Sequence, residues 1–263
     1  MNVTRVVMLG TGNPIANPDK SGPGVAIIVD DKSYLVDFGP GIVRQASKAS
    51  IEYDIEELKP KNLKITFLTH LHSDHTSGLP DLILSPWVLG RKTALKVFGP
   101  KGVSNMCEKI LSAYEVDING RLNGLEPANK EGYKVESTEI SEGTIYRDDS
   151  VVVEAFLVKH PPFESYGYKF TTKDKVVVIS GDTAPCENLI NYSKGCDILV
   201  HEVYSHSGFK TRPESWQEYH SNVHTSSLEL GYIANETNSK ILVLYHQLYM
   251  LNLQNNMQNK NEI

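Results

Sequence analysis

The stretch KITFLTHLHSDHTSGLPDLI, residues 64–83, places four side chains of metal-binding type directly after a short apolar run. These side chains are His70, His72, Asp74 and His75. Alternate residues on an extended segment point the same way, so His70 and His72 can bind one cation. If the chain then turns, Asp74 and His75 can face a second cation nearby. The alternative is an ordinary polar loop, so further donors are needed to decide.

Other residues of the same chemical type follow apolar, strand-like runs elsewhere in the chain. The runs are KITFLTH, VVVEAFLVKH, KVVVISGD, CDILVHE and KILVLYH, which end at His70, His160, Asp182, His201–Glu202 and His246. Loops at strand ends are where a rigid sheet can present catalytic groups. The pattern predicts a site for two metal ions, with His160 at the first, His246 at the second and Asp182 as a bridge between them.

The types of donor indicate which ions fit such a site. Imidazole and carboxylate without thiolate suit two divalent metal ions, with Zn²⁺ favoured and Mn²⁺ or Fe²⁺ as alternatives. The three cysteines, Cys107, Cys186 and Cys196, form no C-x-x-C pair. This spacing argues against a disulfide framework and against a thiolate zinc site.

Length and composition predict a globular domain. The chain has 263 residues, 40% of them hydrophobic and 22% charged, which suffices for one large core. We predict a single domain over residues 1–250 and a polar C-terminal tail over residues 251–263. The formal net charge of −6 counts against a general nucleic-acid binder, which needs a basic excess to neutralise phosphates.

The N-terminal sequence and the apolar runs bear on location. The start MNVTRVVMLGTG has no basic segment followed by an apolar one, and no apolar run elsewhere is long enough to span a membrane. We therefore predict a cytoplasmic protein without a membrane partner. An exported form whose signal peptide has been removed is left open.

The predicted elements are rich in strands, in mixed order, with few long helices between them. This order favours two packed sheets flanked by helices over a doubly wound parallel sheet. We predict a hairpin that turns near Asp30, a solvated helix over residues 51–61, and a helix over residues 225–237. Ser226 and Glu229 fit a capping box at the start of the last helix.

The motif THLHSDH resembles the signature of the metallo-β-lactamase superfamily. The segments LGTGNP, YLVDFGPGIVRQ, GLPDLI, LKVFGPKG, ISGDTAP, DILVHEV, HTSSLELGYIA and VLYHQ follow one another as in its ribonuclease Z-like branch. The resemblance covers about residues 4–250. It implies an α+β fold, the αββα sandwich of two mixed β-sheets flanked by helices, with the metals at the upper edge of the sheets.

The resemblance also implies a role for each candidate site residue. His70, His72 and His160 correspond to the first-metal ligands, Asp74, His75 and His246 to the second-metal ligands, and Asp182 to the bridge. Asp74 would also orient a metal-bridged hydroxide and accept its proton. Glu202 and His224 correspond to a pair that acts on the leaving group, with Glu202 favouring the protonated ring. We interpret His201 as structural, and His206 and His220 as surface residues.

Two departures from the branch bear on the substrate. Only 21 residues separate His160 from Asp182, which leaves no room for the arm that grips tRNA in the tRNA-maturing members. The segment YHQLYM also replaces the usual H-x-S-x-R-Y, so a basic residue is missing. We therefore predict a small anionic or ester substrate, with tRNA disfavoured in the absence of an arm. The sequence leaves open whether the protein forms a homodimer.

The function predicted from these residues is a dinuclear metal-dependent hydrolase that acts as a phosphodiesterase or small-ester hydrolase. Three alternatives stay open: a tRNA 3′-processing endonuclease, a lactone or β-lactam hydrolase, and a non-hydrolytic di-iron redox protein. His224 favours the first prediction, because protonating an alkoxide leaving group is a need of phosphodiesterases. The redox alternative would usually need a flavin partner domain.

Overall fold

A computed structural model of the chain describes residues 3–250. Two six-stranded sheets pack face to face in this part of the chain. Their strands are β1 (Arg5–Gly10), β2 (Gly24–Val29), β3 (Lys32–Val36), β4 (Ile65–Phe67), β5 (Leu95–Gly99), β6 (Val135–Glu139), β7 (Gly143–Arg147), β8 (Val152–Leu157), β9 (Tyr166–Thr171), β10 (Val176–Ile179), β11 (Ile198–Tyr204) and β12 (Ile241–Leu248).

Both sheets mix parallel and antiparallel pairs. The first has the order β1-β2-β3-β4-β5-β6, and the second has the order β12-β11-β10-β9-β8-β7. In the first sheet β3 to β6 run parallel, and in the second β10, β11 and β12 do so. The carboxyl ends of parallel strands share one edge of a sheet. Each sheet thus has an edge where the loops after several strands meet.

Helices cover the outer faces of the two sheets. They are α1 (Ile42–Glu52), α2 (Ser73–Thr76), α3 (Leu79–Val88), α4 (Val103–Ala113), α5 (Glu115–Asn123), α6 (Glu187–Ser193), α7 (His206–Phe209), α8 (Glu214–Val223) and α9 (Ser227–Thr237). Helices α1, α3 and α4 share a core cluster with the first sheet, and α6 and α9 share one with the second. The layers therefore read α, β, β, α, and the predicted fold class is confirmed.

Strand β2 shows why its sequence is apolar throughout. Side chains on a strand alternate between the two faces of the sheet. Val25 and Ile27 face the cluster between the sheets, whereas Ala26 and Ile28 face the helices of the outer layer. Because both faces are covered, every residue of β2 is buried, and a continuous apolar run replaces the polar alternation of a half-exposed strand.

Most of the local predictions are confirmed, and one is wrong. β2 and β3 form the hairpin that turns at Asp30, and Ser226 with Glu229 forms the capping box of α9. The helix predicted over residues 51–61 is absent: α1 ends at Glu52, and 3₁₀ turns follow at Glu56–Leu58 and Pro60–Asn62. Asp54, with φ of 52°, breaks the helical path.

The single domain over residues 1–250 stays a prediction, and the predicted tail over residues 251–263 lies outside the described residues. Within residues 3–250 no helix combines the length and apolar character needed to cross a membrane.

Candidate metal centre

The loops that follow β4, β8 and β10 meet the last strand, β12, at one edge of the sandwich. They bring together all seven side chains predicted as metal ligands. Within the described residues these side chains fall into overlapping donor groups whose ligand atoms lie within 4.8 Å of one another: His70, His72, His160 and Asp182; Asp74, His75 and His246; and Asp182, His224 and His246.

The first group is a set of three imidazoles. The Nδ1 atom of His72 lies 2.9 Å from Nε2 of His70 and 3.1 Å from Nε2 of His160. The other ring nitrogen of His160 donates to the carbonyl of Val223 at 2.8 Å, and the ring of Phe163 packs 4.3 Å from that of His72. Three ring nitrogens thus converge on one point. The carbonyl of Val223 orients the ring of His160, and Phe163 packs against the ring of His72.

Asp182 lies between the two predicted metal positions. Its Oδ2 atom is 3.4 Å from Nε2 of His75, 3.3 Å from Nε2 of His246 and 3.9 Å from Nε2 of His70. Asp74 closes the second group, with its Oδ2 atom 3.2 Å from Nε2 of His246. A carboxylate placed between nitrogen donors of both groups has the position that a bridging ligand requires.

His246 reaches the cluster through an irregularity in β12. In the parallel pair β11–β12, Glu202 lies opposite Tyr245 and Val203 opposite Gln247, so His246 is the extra residue of a bulge. Its φ of 43° lies in the left-handed region, which costs a non-glycine residue about 1–2 kcal/mol. Bulges next to active sites re-aim a side chain, and this one directs His246 toward Asp182.

Asp37 is a functional residue that the sequence analysis missed. It is fully buried, and its Oδ2 atom accepts from Nδ1 of His75 at 2.8 Å. Its Oδ1 atom accepts from the backbone N–H and the hydroxyl of Thr69 at 2.8 and 2.9 Å. Carboxylate partners of this kind fix the orientation and tautomer of a metal-binding histidine. The signal was present, since KSYLVD is another apolar run that ends in a carboxylate.

The buried charges of the cluster compensate one another. Burial favours neutral His75, but the carboxylates of Asp182 and Asp37 outweigh it and raise the pKa of His75 well above its usual range. Burial also works against the charge of Asp182, yet His246 and His75 hold its pKa well below the ordinary value. For His70, burial dominates and lowers the pKa well below the ordinary value.

The donor set fits divalent cations. Nε2 of His75, Oδ1 of Asp182 and Nδ1 of His246 are buried without a hydrogen-bond partner within the described range, and buried polar atoms are normally paired. The donors are imidazoles and carboxylates, the mixture that suits Zn²⁺, Mn²⁺ or Fe²⁺. Thiolates are absent from the donor groups found in residues 3–250. The cluster therefore has the chemistry of a divalent-metal site, and which ion it takes stays a prediction.

Glu202 and His224 form a buried pair beside this cluster. Oε1 of Glu202 accepts from Nδ1 of His224 at 3.0 Å and from the backbone N–H groups of Thr225 and Thr183 at 3.0 and 3.2 Å. Burial lowers the pKa of His224 to about 4, while burial and the charge of Asp182 raise the pKa of Glu202 well above its ordinary value. Burial of the ring thus works against the protonated form that the sequence analysis expects for His224.

The remaining histidines have different surroundings. His201 is fully buried, bonds through Nδ1 to the carbonyl of Glu202 at 2.6 Å, and belongs to none of the donor groups in the described chain. The interpretation of His220 as a surface residue is wrong. It is 7% exposed, because Trp216 stacks on it with ring centroids 5.6 Å apart. His206 is half-buried in α7.

The interval between His160 and Asp182 contains no protruding arm. It consists of β9 and β10, which pair antiparallel as a hairpin, and of the short segment before β9. Both strands are integral to the second sheet. The predicted absence of an arm at this place agrees with the structure.

Comparisons with known proteins agree with this architecture. The family model described as "Beta-lactamase superfamily domain" matches residues 32–247. A relative from Mycobacterium bovis (strain BCG / Pasteur 1173P2), named Ribonuclease Z, is 29% identical over 245 residues, which cover 92% of this chain and 85% of the relative. Its name is in tension with the prediction that disfavours tRNA as a substrate.

Two solved structures share the fold. The metallo-β-lactamase fold protein YhfI from Bacillus subtilis is 18% identical with a TM-score of 0.72, covering 98% of this chain and 92% of its own. Human tRNase Z, short form, is 20% identical with a TM-score of 0.71, covering 94% and 93% of the two chains. The chain belongs to the metallo-β-lactamase superfamily, in its ribonuclease Z-like branch, and is a hydrolase of that superfamily.

Proposed function

We propose that the chain hydrolyses a phosphodiester or a related small ester with the help of two divalent metal ions. The observation that carries the proposal is the Glu202–His224 pair. It is buried, it lies outside the seven predicted ligands, and Nδ1 of His224 is 4.0 Å from Oδ2 of Asp182. A histidine held at this distance from the cluster can reach the leaving oxygen of a substrate bound there.

We propose that the cluster divides between two ions in the way expected from the sequence. The residues proposed to hold them are His70, His72 and His160 for the first, Asp74, His75 and His246 for the second, and Asp182 for both. Bound divalent ions would lower the pKa of a water molecule to roughly 7 and neutralise charge that builds up on the attacked centre.

Asp74 is the residue proposed to handle the attacking water. It is 8% exposed, and it lines the cleft beside the cluster. Its carboxylate can therefore accept a hydrogen bond from a water molecule and orient it. The same carboxylate can take the proton that the water loses on attack.

His224 is proposed to give a proton to the leaving oxygen from Nε2. Among the described residues Nε2 forms no hydrogen bond, whereas Nδ1 is occupied by Glu202. In this role the ring takes a proton on Nε2 from solvent before the bond breaks and passes it to the leaving oxygen. The Glu202 carboxylate, 3.0 Å away, would then stabilise the charged ring and keep Nε2 in place.

A tRNA endonuclease is the second candidate, and the relative named Ribonuclease Z supports it, because this chain matches 85% of that relative's length. Two observations favour a small substrate instead. The interval between His160 and Asp182 is filled by the hairpin β9–β10, and the net charge is −6. Without a basic arm, tRNA would have little to hold it at physiological salt.

The test is the dependence of turnover on the leaving group. Esters of thymidine 5′-phosphate with 4-nitrophenol, phenol and an alkyl alcohol differ in how much they need a proton. We expect His224→Ala to lower kcat about 10²- to 10⁴-fold for the alkyl ester and far less for the nitrophenyl ester. Glu202→Gln should show the same trend more weakly, and metal content should not change in either variant.

The matched control is His206→Ala, which removes a histidine outside the donor groups. It should leave the rates with all three esters unchanged. Equal losses for good and poor leaving groups in His224→Ala would mean that His224 positions the substrate, and its role as an acid would be abandoned. Turnover of lactones or β-lactams without turnover of phosphodiesters would favour the lactone or β-lactam hydrolase.

A further inference from the structure

A cleft of about 610 Å³ opens beside the metal-binding cluster. One wall is the segment 13–22 between β1 and β2, and the other includes Pro40, Gly41, Ser73 and Asp74. Sites for small ligands usually have volumes of about 300–1,000 Å³. Because Asp74 belongs to both the cleft and the cluster, the cleft can receive the part of a substrate that lies beyond the bond to be cleaved.

The wall formed by segment 13–22 is fixed to β12. The side chain of Asn13 donates from Nδ2 to the carbonyl of Gln247 at 2.7 Å, and the N–H of Gln247 lies 3.4 Å from the carbonyl of Thr11. At the base of the segment, the N–H of Gly12 donates to the carbonyl of Ser21 at 2.8 Å. Gln247 directly follows His246, so the wall is tied to the strand that brings in a proposed ligand.

Lys20 is the only cationic side chain among the described residues that line the cleft. Its Nζ donates to Oε1 of Gln247 at 3.2 Å and lies 4.8 Å from the ring centroid of Tyr249. The hydroxyl of Tyr249 donates to the same Oε1 at 2.8 Å. Both groups that hold the ammonium are neutral, so they fix its position without cancelling its charge.

We propose that Lys20 binds a second anionic group of the substrate, a phosphate separate from the one that is cleaved. This inference rests on the proposed phosphodiesterase function. Asp74 is the acidic side chain of the cleft lining, and its charge would be neutralised by a bound cation. The cleft would then be positive, and a lysine ammonium is a point charge that suits phosphate oxygens. The substrate class is therefore a phosphodiester that carries a further phosphate.

A binding experiment with two uncleavable ligands tests this. Thymidine 3′,5′-bisphosphate has the second phosphate and thymidine 5′-monophosphate lacks it. Isothermal titration of the metal-loaded protein should give a Kd about tenfold lower for the bisphosphate, as expected for a charged hydrogen bond that is partly open to solvent. Lys20→Met should remove this difference and Lys20→Arg should keep it.

The controls separate binding of the second phosphate by Lys20 from general effects of charge. Lys48→Met removes an exposed lysine of α1 and should leave the tenfold ratio intact. Lys20→Met should fold normally, because Oε1 of Gln247 retains the hydroxyl of Tyr249 as a partner. Equal affinities in the unsubstituted protein, no binding of either ligand, or an unchanged ratio in Lys20→Met would each overturn the proposal.

A kinetic experiment distinguishes failure of the proposed anion site at Lys20 from failure of the proposed phosphodiesterase function. The 4-nitrophenyl ester of thymidine 5′-phosphate is compared with and without a 3′-phosphate. Lys20→Met should raise KM about tenfold for the phosphorylated ester alone. If neither ester is cleaved while the binding ratio responds to Lys20 as expected, the phosphodiesterase proposal fails and the anion site stands.

Discussion

Replacing Asp37 with Asn probes how the second donor group is held. Asp37 accepts hydrogen bonds on both oxygens, from Thr69 on one side and from Nδ1 of His75 on the other. An amide has one acceptor oxygen and one donor nitrogen. If the oxygen stays with Thr69, the amide N–H₂ faces Nδ1 of His75. The ring must then carry its proton on Nε2, the atom that lies 3.4 Å from Asp182 and faces the cluster.

The expected effect of Asp37→Asn follows from that change of tautomer. A proton on Nε2 occupies the lone pair that a metal ion needs. Loss of such an outer partner typically weakens metal binding about 10- to 100-fold, which corresponds to about 1.4–2.8 kcal/mol. The metal-free protein should also lose about 1–3 kcal/mol of stability, because a hydrogen bond to a charged carboxylate is replaced by a neutral one.

Competition with a chromogenic chelator measures the two zinc affinities, and urea unfolding measures the stability. We expect the affinity of the site that includes His75 to fall and that of the three-histidine group to change less. Asp148→Asn is the matched control, since Asp148 accepts from the hydroxyls of Tyr34 and Tyr146 at 2.8 and 2.9 Å and lies outside the donor groups. It should cost stability alone. Two unchanged zinc affinities in Asp37→Asn would refute the reasoning.

Three further predictions concern metal content, substrate and acid stability. Elemental analysis after reconstitution should find two divalent ions per chain, and a value of one or less would contradict the seven-ligand assignment. The isolated protein should process precursor tRNA weakly or not at all at physiological salt. Efficient cleavage would show that this protein can process tRNA without an arm between His160 and Asp182. Burial opposes the charge of Asp148, but the N–H of Ser150 and the hydroxyl of Tyr34 lower its pKa from 3.8 to about 2. The ionised Asp148 carboxylate therefore stabilises the folded protein by about 1–2 kcal/mol, after a discount for partial exposure. This contribution is complete above about pH 5 and falls to about half by about pH 3. The difference in unfolding free energy between the protein and Asp148→Asn should shrink over that range.

The sequence predicts the parts of the site that depend on local pattern. Histidine or aspartate after an apolar run locates His70, His160 and Asp182 at strand ends, because the period of a strand and its exit are local properties. The same holds for the capping box, in which Ser226 and Glu229 are three residues apart. These predictions needed no knowledge of which strands are neighbours.

The remaining parts depend on contacts between distant segments. His246 points into the cluster because β12 bulges against β11, and nothing within KILVLYH encodes that bulge. Asp37 has the same strand-end pattern as the predicted ligands, but its role as a partner of His75 follows from the pairing of β3 beside β4. His220 is buried by Trp216, which polarity alone could not indicate.

The late position of β12 in the chain has a consequence for biosynthesis. The donors of the three-histidine group and Asp182 all precede β11, whereas His246 enters the cluster only when β12 has paired with β11. A nascent chain, or a fragment that stops before β12, therefore lacks one of the seven proposed ligands and leaves the second donor group incomplete. The order of the strands therefore makes His246 the last of the proposed ligands to join the cluster, after β11 is in place to pair with β12.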